Sequence, residues 1–298
     1  MTPSLPAKRC LRNRARRGAL VIAGLMFALW TTMPTAEESA PPLRLGLTPV
    51  ILDDRLTYIA RLRDYLRREL ERPVELVQRS SYGEIMEKLE NEELDAAWIC
   101  GYPYVKHREQ LDLVAVPRYQ SEPLYRSYLI AGSDNTAITG WDDLEGRVFA
   151  FSDPDSNSGY LYPRHALAEQ GHDAADFLGR TFFTGSHQAV VEAVAAGLAE
   201  AGAVDGYVWD TLRTKKPELV ERTRVVERSR TFGFPPVAAG PTLSTDGQDR
   251  LRESLMGMAL TDEGRKLLDA LNLDDFVEPD PGLYDDIDQM MRQLDERP

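Results

Sequence analysis

The feature of this sequence that most restricts its fold is an alternation of strand and helix patterns that occurs twice along the chain. In the first unit, short apolar strands are predicted at Leu43 to Leu47, Pro73 to Val77 and Asp95 to Cys100. Between them lie an apolar stripe at helical spacing, from Ile59 to Leu70, and a helical segment from Ser81 to Glu90. Strands joined by helices favour a mostly parallel sheet that is flanked by helices.

The second unit repeats this order of elements. Strands are predicted at Arg147 to Phe151, Thr181 to Phe183 and Ala201 to Val204, and helices at Gly159 to Gln170 and His187 to Leu198. The two units share an architecture but no convincing sequence identity. We therefore predict an α/β protein with two lobes.

The chain order suggests where each lobe begins and ends. We predict a signal peptide at 1–36, a short linker at 37–42, lobe I at 43–128 plus 236–298, and lobe II at 129–235. The segments Leu124 to Ala131 and Gly233 to Gly240 would cross between the lobes, and the C-terminal helices would pack on lobe I. Ligands of open α/β sheets bind beyond the carboxyl ends of the strands, so a cleft between the lobes is the expected site.

The most informative loop is Ser156-Asn157-Ser158-Gly159. It follows a predicted buried strand and the turn at Asp153-Pro154, and it opens a helix. Free amides and the partial positive charge at a helix N-terminus bind anions, and the hydroxyls add further donors. Serine and asparagine are also preferred as ordinary helix caps, so the loop alone leaves both interpretations open.

Two further residues follow the later strands of lobe II. His187 comes after Thr184-Gly185-Ser186 at a second strand-to-helix junction, where its ring could donate a hydrogen bond to an oxyanion or serve a structural role. Asp205 ends the last strand, where it could accept from a ligand or simply cap the next helix.

In lobe I the segment Trp98-Ile-Cys-Gly-Tyr-Pro-Tyr104 ends a strand at the equivalent position. Tyr102 or Tyr104 could offer a phenol to the ligand, although both rings could equally be packing. Tyr58, near the start of the first helix, is a candidate for the opposite wall. Cys100 is expected to be an inert buried thiol, and it becomes a soft ligand only if it faces the cleft.

The net charge and the N-terminal segment restrict the partners and the cellular location that the protein can have. The net charge of −13 argues against nucleic acid as a partner. Residues 1–36 hold six basic and no acidic residues, and the apolar run from Ala19 to Trp30 is shorter than the roughly 20 residues that span a bilayer. We predict an export signal and a periplasmic location, with an uncleaved membrane anchor as the alternative. Only Cys10 and Cys100 are present, and Cys10 should leave with the signal. The exported chain should therefore hold one thiol and no disulfide.

Motifs of catalysis are absent from the sequence: there is no nucleophile elbow, zinc-ligand spacing or nucleotide phosphate loop. We therefore expect a binding protein rather than an enzyme, with no cofactor and no metal, and a monomer.

Several of these segments together resemble the periplasmic phosphate, phosphite and phosphonate-binding proteins of ABC transporters. The resemblance rests on Asp95 to Val105, Phe151 to Leu161, Phe183 to His187, Ala189 to Asp205 and Pro235-Pro236. It implies a type II periplasmic-binding fold that closes around its ligand. The family's anion loop would correspond to Ser156, Asn157, Ser158 and Gly159, although the family usually has threonine where this chain has Asn157. Its histidine would be His187, its aromatic wall Tyr58 and Tyr102, and its acidic partner Asp205.

The expected function is capture of a small oxyanion for an ABC permease in the inner membrane. The alternative is a periplasmic sensor that reports to a histidine kinase. Some relatives with this fold sense arsenite, and Cys100 would then be the soft ligand.

Overall fold

The computed structural model describes residues 40–48 and 55–296. The predicted signal peptide lies outside these ranges. No helix of the described residues is long and apolar enough to cross a membrane. The strands are β1 Leu43–Leu47, β2 Val74–Gln78, β3 Ala96–Trp98, β4 Asp112–Arg118, β5 Leu124–Gly132, β6 Phe149–Phe151, β7 Thr181–Phe183, β8 Ala201–Asp205, β9 Thr223–Gly233, β10 Val237–Ala239 and β11 Asp275–Val277.

The helices alternate with the strands, as the sequence predicted for both units. Their bounds are α1 Arg55–Glu69, α2 Tyr82–Glu90, α3 Gly101–Lys106, α4 Tyr162–Glu169, α5 Ala174–Phe177, α6 His187–Ala195, α7 Gly206–Lys215, α8 Pro217–Val220, α9 Thr245–Met256, α10 Asp262–Leu271 and α11 Asp285–Asp295.

The strands of the described residues form two sheets. The order in the lobe I sheet is β11-β4-β10-β3-β1-β2, and the order in the lobe II sheet is β7-β6-β8-β5-β9. Three adjacent strands on one side of each sheet are parallel, with β1 between β2 and β3, and β6 between β7 and β8. The carboxyl ends of the parallel strands therefore share one edge in each lobe, where ligands bind in open α/β sheets.

The chain crosses between the sheets twice. The first crossing lies between β4 and β5, in a turn where Gln120 and Ser121 have φ of 53° and 68°. All of β5 pairs with β8 and β9, so the predicted boundary at residue 128 falls inside a strand of the lobe II sheet. The return passes through Phe234-Pro235-Pro236 into β10, close to the boundary predicted at 236.

The C-terminal helices pack differently from one another. α9 contacts β4 and β11, and α10 contacts α1, as expected for a lobe I position. α11 contacts α3 of lobe I but also α4 of lobe II. Its apolar residues Ile287 and Met290 are completely buried, so this helix binds both lobes rather than lobe I alone.

Candidate functional site

The loop Ser156–Gly159 lies at the carboxyl end of β6, where a π-helical turn, Asn157–Leu161, leads into α4. The side chains of Ser156, Asn157 and Ser158 are completely buried. Ser156 caps the turn, since its Oγ accepts the Gly159 N–H at 3.0 Å. The carbonyl of Ser158 is held from β5 by the Ser127 hydroxyl, at 2.6 Å. The predicted anion loop is thus a buried segment at the edge of the sheet, held by these hydrogen bonds.

Gly159 allows the loop to fold closely onto β6. A Cβ atom at this position would lie 1.9 Å from Ser152 Oγ and 3.1 Å from His187 Cε1. Since no side chain tolerates such distances, glycine is required here for steric reasons.

His187 begins α6 directly after β7 and its cap Ser186. Its Nδ1 accepts the Asp205 N–H at 3.1 Å, which places the ring proton of the neutral tautomer on Nε2. That atom lies 3.5 Å from Ser156 Oγ. Burial lowers the pKa of His187 to about 3, so at neutral pH the ring is an uncharged donor.

Asp205 ends β8 and caps α7, because its Oδ1 accepts the Tyr207 N–H at 2.8 Å. Burial raises the pKa of Asp205 to about 8, outweighing the amide hydrogen bonds of Tyr207 and Val208, which lower it. The carboxyl group is therefore mostly protonated at neutral pH. His187 follows β7 and Asp205 ends β8, the two strands that flank β6. The two residues therefore lie at the same edge of the sheet as the anion loop, which follows β6.

Cys100 and Tyr82 of lobe I lie near the anion loop, and Tyr125 contacts the loop from β5 of lobe II. The backbone N–H of Asn157 donates to Cys100 Sγ at 3.3 Å, and its side-chain Nδ2 donates to the Tyr125 hydroxyl at 2.9 Å. Tyr82, the first residue of α2, is buried, and the proximity of Cys100, Asp153 and Asp205 adds to the burial that raises its pKa.

Tyr82 and Tyr125 were not predicted as site residues. A signal for Tyr82 exists, since it directly follows the cap Ser81 at a strand-to-helix junction of lobe I. Tyr125 lies inside β5, in the segment predicted as a crossing, and nothing in the local pattern distinguishes it from a packing residue.

The tyrosines that were predicted lie elsewhere. Tyr58 packs into the apolar core with Leu62 and Leu66, and burial raises its pKa. Tyr102 is half-buried, with the Lys106 ammonium 5.3 Å from its ring centroid. Within the described ranges, neither hydroxyl has a hydrogen bond to the anion loop, and a ligand role for either residue stays a prediction.

Several buried polar atoms around the loop lack a hydrogen-bond partner among the described residues: Ser152 Oγ, Ser158 Oγ, Asn157 Oδ1 and the Tyr82 hydroxyl. Buried polar groups normally have partners, and each one left without costs about 1–3 kcal/mol. No lysine or arginine of the described chain is among the groups that shift the pKa of His187, Asp205 or Tyr82. The arrangement therefore offers neutral donors to a small polar ligand.

Comparison with known proteins identifies a family. The family model described as ABC transporter, phosphonate, periplasmic substrate-binding protein matches residues 45–284. The probable ABC transporter phosphite binding protein PhnD1 of Prochlorococcus marinus is 22% identical over 291 residues, covering 92% of this chain and 96% of that protein. The phosphate-import protein PhnD of Mycolicibacterium smegmatis is 30% identical over 191 residues, and the match spans 60% of each protein.

Solved structures confirm the fold. A binding protein component of an ABC phosphonate transporter from Pseudomonas aeruginosa has a TM-score of 0.77 at 21% identity, over 84% of this chain and 85% of that one. PhnD1 of Prochlorococcus marinus in complex with methylphosphonate has a TM-score of 0.76 at 19% identity, over 86% of this chain and 98% of that one. The two-sheet architecture is the type II periplasmic-binding fold, and the chain belongs to the family of periplasmic substrate-binding proteins of phosphonate ABC transporters.

Proposed function

We propose that this protein binds a small phosphorus oxyanion (phosphate, phosphite or a phosphonate) in the periplasm and presents it to an ABC permease. The observation that carries the proposal is the set of buried hydroxyls without partners at the anion loop, on Ser152, Ser158 and Tyr82. A tetrahedral anion with several acceptor oxygens would satisfy donors that converge from both lobes.

Binding would need no covalent chemistry. The hydroxyls of Ser158 and Tyr82 and the Nε2–H of His187 would donate to the ligand oxygens, whereas the Asn157 and Gly159 amides already donate to Cys100 Sγ and Ser156 Oγ. Because the loop is completely buried, water would be excluded, and hydrogen bonds to an ionised ligand are then stronger than those between neutral groups.

The names of the relatives support this ligand class and leave the individual oxyanion open. One relative is named for phosphite, another for phosphate import, and a third structure holds methylphosphonate. A neutral site with a protonated Asp205 is compatible with each of them, so the ligand has to be chosen by titration.

The sensor alternative, with arsenite bound through Cys100, is less well supported. Burial raises the pKa of the Cys100 thiol to about 11, and the sulfur already accepts a hydrogen bond from Asn157. If arsenite were the ligand, Cys100→Ser would abolish its binding, whereas oxyanion binding through hydroxyls should survive this substitution.

Calorimetric titration in phosphate-free buffer tests the proposal. We expect at least one of phosphate, phosphite, methylphosphonate and 2-aminoethylphosphonate to bind. Ser158→Ala should weaken that binding by about 10- to 100-fold, since a hydrogen bond to a charged group contributes about 1.5–3 kcal/mol. Ser133→Ala, an exposed position in lobe II, is the matched control and should bind as the wild type does. Absence of heat with all four ligands would refute the proposal.

A further inference from the structure

Two carboxylates that precede the anion loop join lobe II to lobe I. Asp153 Oδ2 accepts the backbone N–H of Tyr82 at 3.2 Å. Asp155 Oδ1 accepts from the Lys106 ammonium at 2.9 Å. Tyr82 begins α2 and Lys106 ends α3, so both partners belong to lobe I. We call the segment Asp153-Pro154-Asp155 the clasp.

Asp153 is well placed for this contact. Its side chain is buried, and its other oxygen accepts the Asp155 N–H at 2.9 Å, which fixes the clasp as a tight turn. The first helical turn of α2 attracts negative charge, because its amides point at the clasp. α2 already has its own cap, since Ser81 accepts from Glu84. The contribution of Asp153 is therefore a contact between the lobes rather than a requirement for the helix.

We propose that Asp153 and Asp155 are positioning residues for ligand binding: the clasp holds the lobes closed and fixes the Tyr82 hydroxyl beside the anion loop. This inference rests on the proposed function. The bonds of the clasp to lobe I do not touch the ligand. They still favour its binding, because they stabilise the closed conformation that the ligand selects.

The expected change in the open population depends on how far each side chain is exposed to solvent. The side chains of Lys106 and Asp155 are 39% and 21% exposed, so this pair should change the open population by about 1.5- to 5-fold, as half-exposed ion pairs do. Of the two backbone N–H groups that the buried Asp153 accepts, only that of Tyr82 belongs to lobe I. Loss of this charge-assisted bond should change the open population by about 10-fold or more.

Cys100 provides a test that needs no ligand. Its thiol is 3% exposed because the anion loop covers it, so a maleimide reagent reaches it only when the lobes open. Mass spectrometry of the Cys100 peptide separates it from Cys10. Labelling of the ligand-free protein should be about 1.5- to 5-fold faster in Lys106→Met and in Asp155→Asn, and about 10-fold faster in Asp153→Asn.

A double-mutant cycle then distinguishes loss of the ion pair between Lys106 and Asp155 from general destabilisation of the protein. If Lys106 and Asp155 act through each other, the double variant should label no faster than either single variant. Higher salt should accelerate labelling of the wild type but not of Lys106→Met, because salt screens a half-exposed pair. Asp246→Asn is the matched control, since Asp246 pairs with Arg250 on the surface of α9 alone, and it should label at the wild-type rate.

Calorimetry of the same variants should show oxyanion affinity falling in proportion to the closed fraction that each substitution removes, because only the closed conformation binds tightly. Unchanged labelling in all three single variants would overturn the clasp, even if the wild type binds an oxyanion. Accelerated labelling in a protein that binds none of the four ligands would support the clasp and refute the proposed function instead. Should Asp153→Asn fail to fold, the Lys106 and Asp155 cycle still decides the question.

Discussion

The protonated carboxyl of Asp205 makes an unusual pH dependence the sharpest test of the site's electrostatics. Its pKa rises from 3.8 to about 8 on folding, so the folded protein keeps a proton that the unfolded chain releases above pH 4. A group with a raised carboxyl pKa stabilises the fold at low pH, and this contribution is lost as pH rises through the folded value. The free energy of unfolding should therefore fall as pH rises towards 8.

His187 acts in the opposite direction at lower pH. Its pKa falls from 6.5 to about 3 on folding, so below pH 6.5 the unfolded chain holds the extra proton and stability falls as pH falls. Between pH 4 and 6.5 the two effects nearly cancel, because each corresponds to one proton. Above pH 6.5 only Asp205 remains, and one proton corresponds to about 1.4 kcal/mol per pH unit. Because this slope is only partly developed near the unfolded pKa of His187 and the folded pKa of Asp205, we expect a loss of about 1–1.5 kcal/mol between pH 6.5 and 8.

The measurement is urea denaturation of ligand-free protein in phosphate-free buffers at several pH values from 6.5 to 8. Asp205→Asn mimics the protonated carboxyl and should abolish most of the decline. It should also raise the free energy of unfolding at pH 6.5 by about 3–4 kcal/mol, because the unfolded wild-type chain has already released this proton at that pH. Asp173→Asn is the matched control, since Asp173 caps α5 in the same way but is exposed. If Asp205→Asn declines as steeply as the wild type, burial does not hold the proton on this carboxyl.

Two further substitutions test how the site is held. Gly159→Ala places a methyl group 1.9 Å from Ser152 Oγ, so it should lower the free energy of unfolding by about 1–3 kcal/mol and displace the anion loop enough to weaken oxyanion binding. Gly257→Ala meets no atom within 4 Å and should change neither quantity; equal binding by both variants would contradict the steric argument. Ser81→Ala removes one half of the capping box of α2 and should cost about 0.5–2 kcal/mol in urea denaturation, a loss that Ser133→Ala should not reproduce.

The lobe II half of the site could be predicted because it follows from topology. The residues after the parallel strands β6, β7 and β8 meet at one edge of the sheet, whatever the details of packing. The structure places the anion loop, His187 and Asp205 together at this edge. Their roles towards a ligand stay predictions until titrations are made.

The tyrosines of the site could not be predicted in the same way, because their contacts depend on side-chain direction. Tyr58 lies on the same helical face as Leu62 and Leu66, four and eight residues on, and that face packs into the core. Tyr125 alternates with the exposed Arg126 at the start of β5, so the pattern indicates a buried ring. The pattern does not show that the ring contacts the anion loop rather than the apolar core. The order of residues along a chain indicates where a strand ends more readily than where a ring points.

The two crossings described above also set an order in which the sheets can be completed. The lobe II sheet is built from residues 124–233 without interruption, so all its strands are present once residue 233 has been delivered. The lobe I sheet needs β10 at its centre and β11 at its edge, which follow the whole of lobe II. Such long-range pairing is slow to form. A chain delivered from its N-terminus would therefore hold strands β1 to β4 incomplete until lobe II has been delivered, and the amide groups of β3 and β4 that pair with β10 would be exposed to aggregation during that interval.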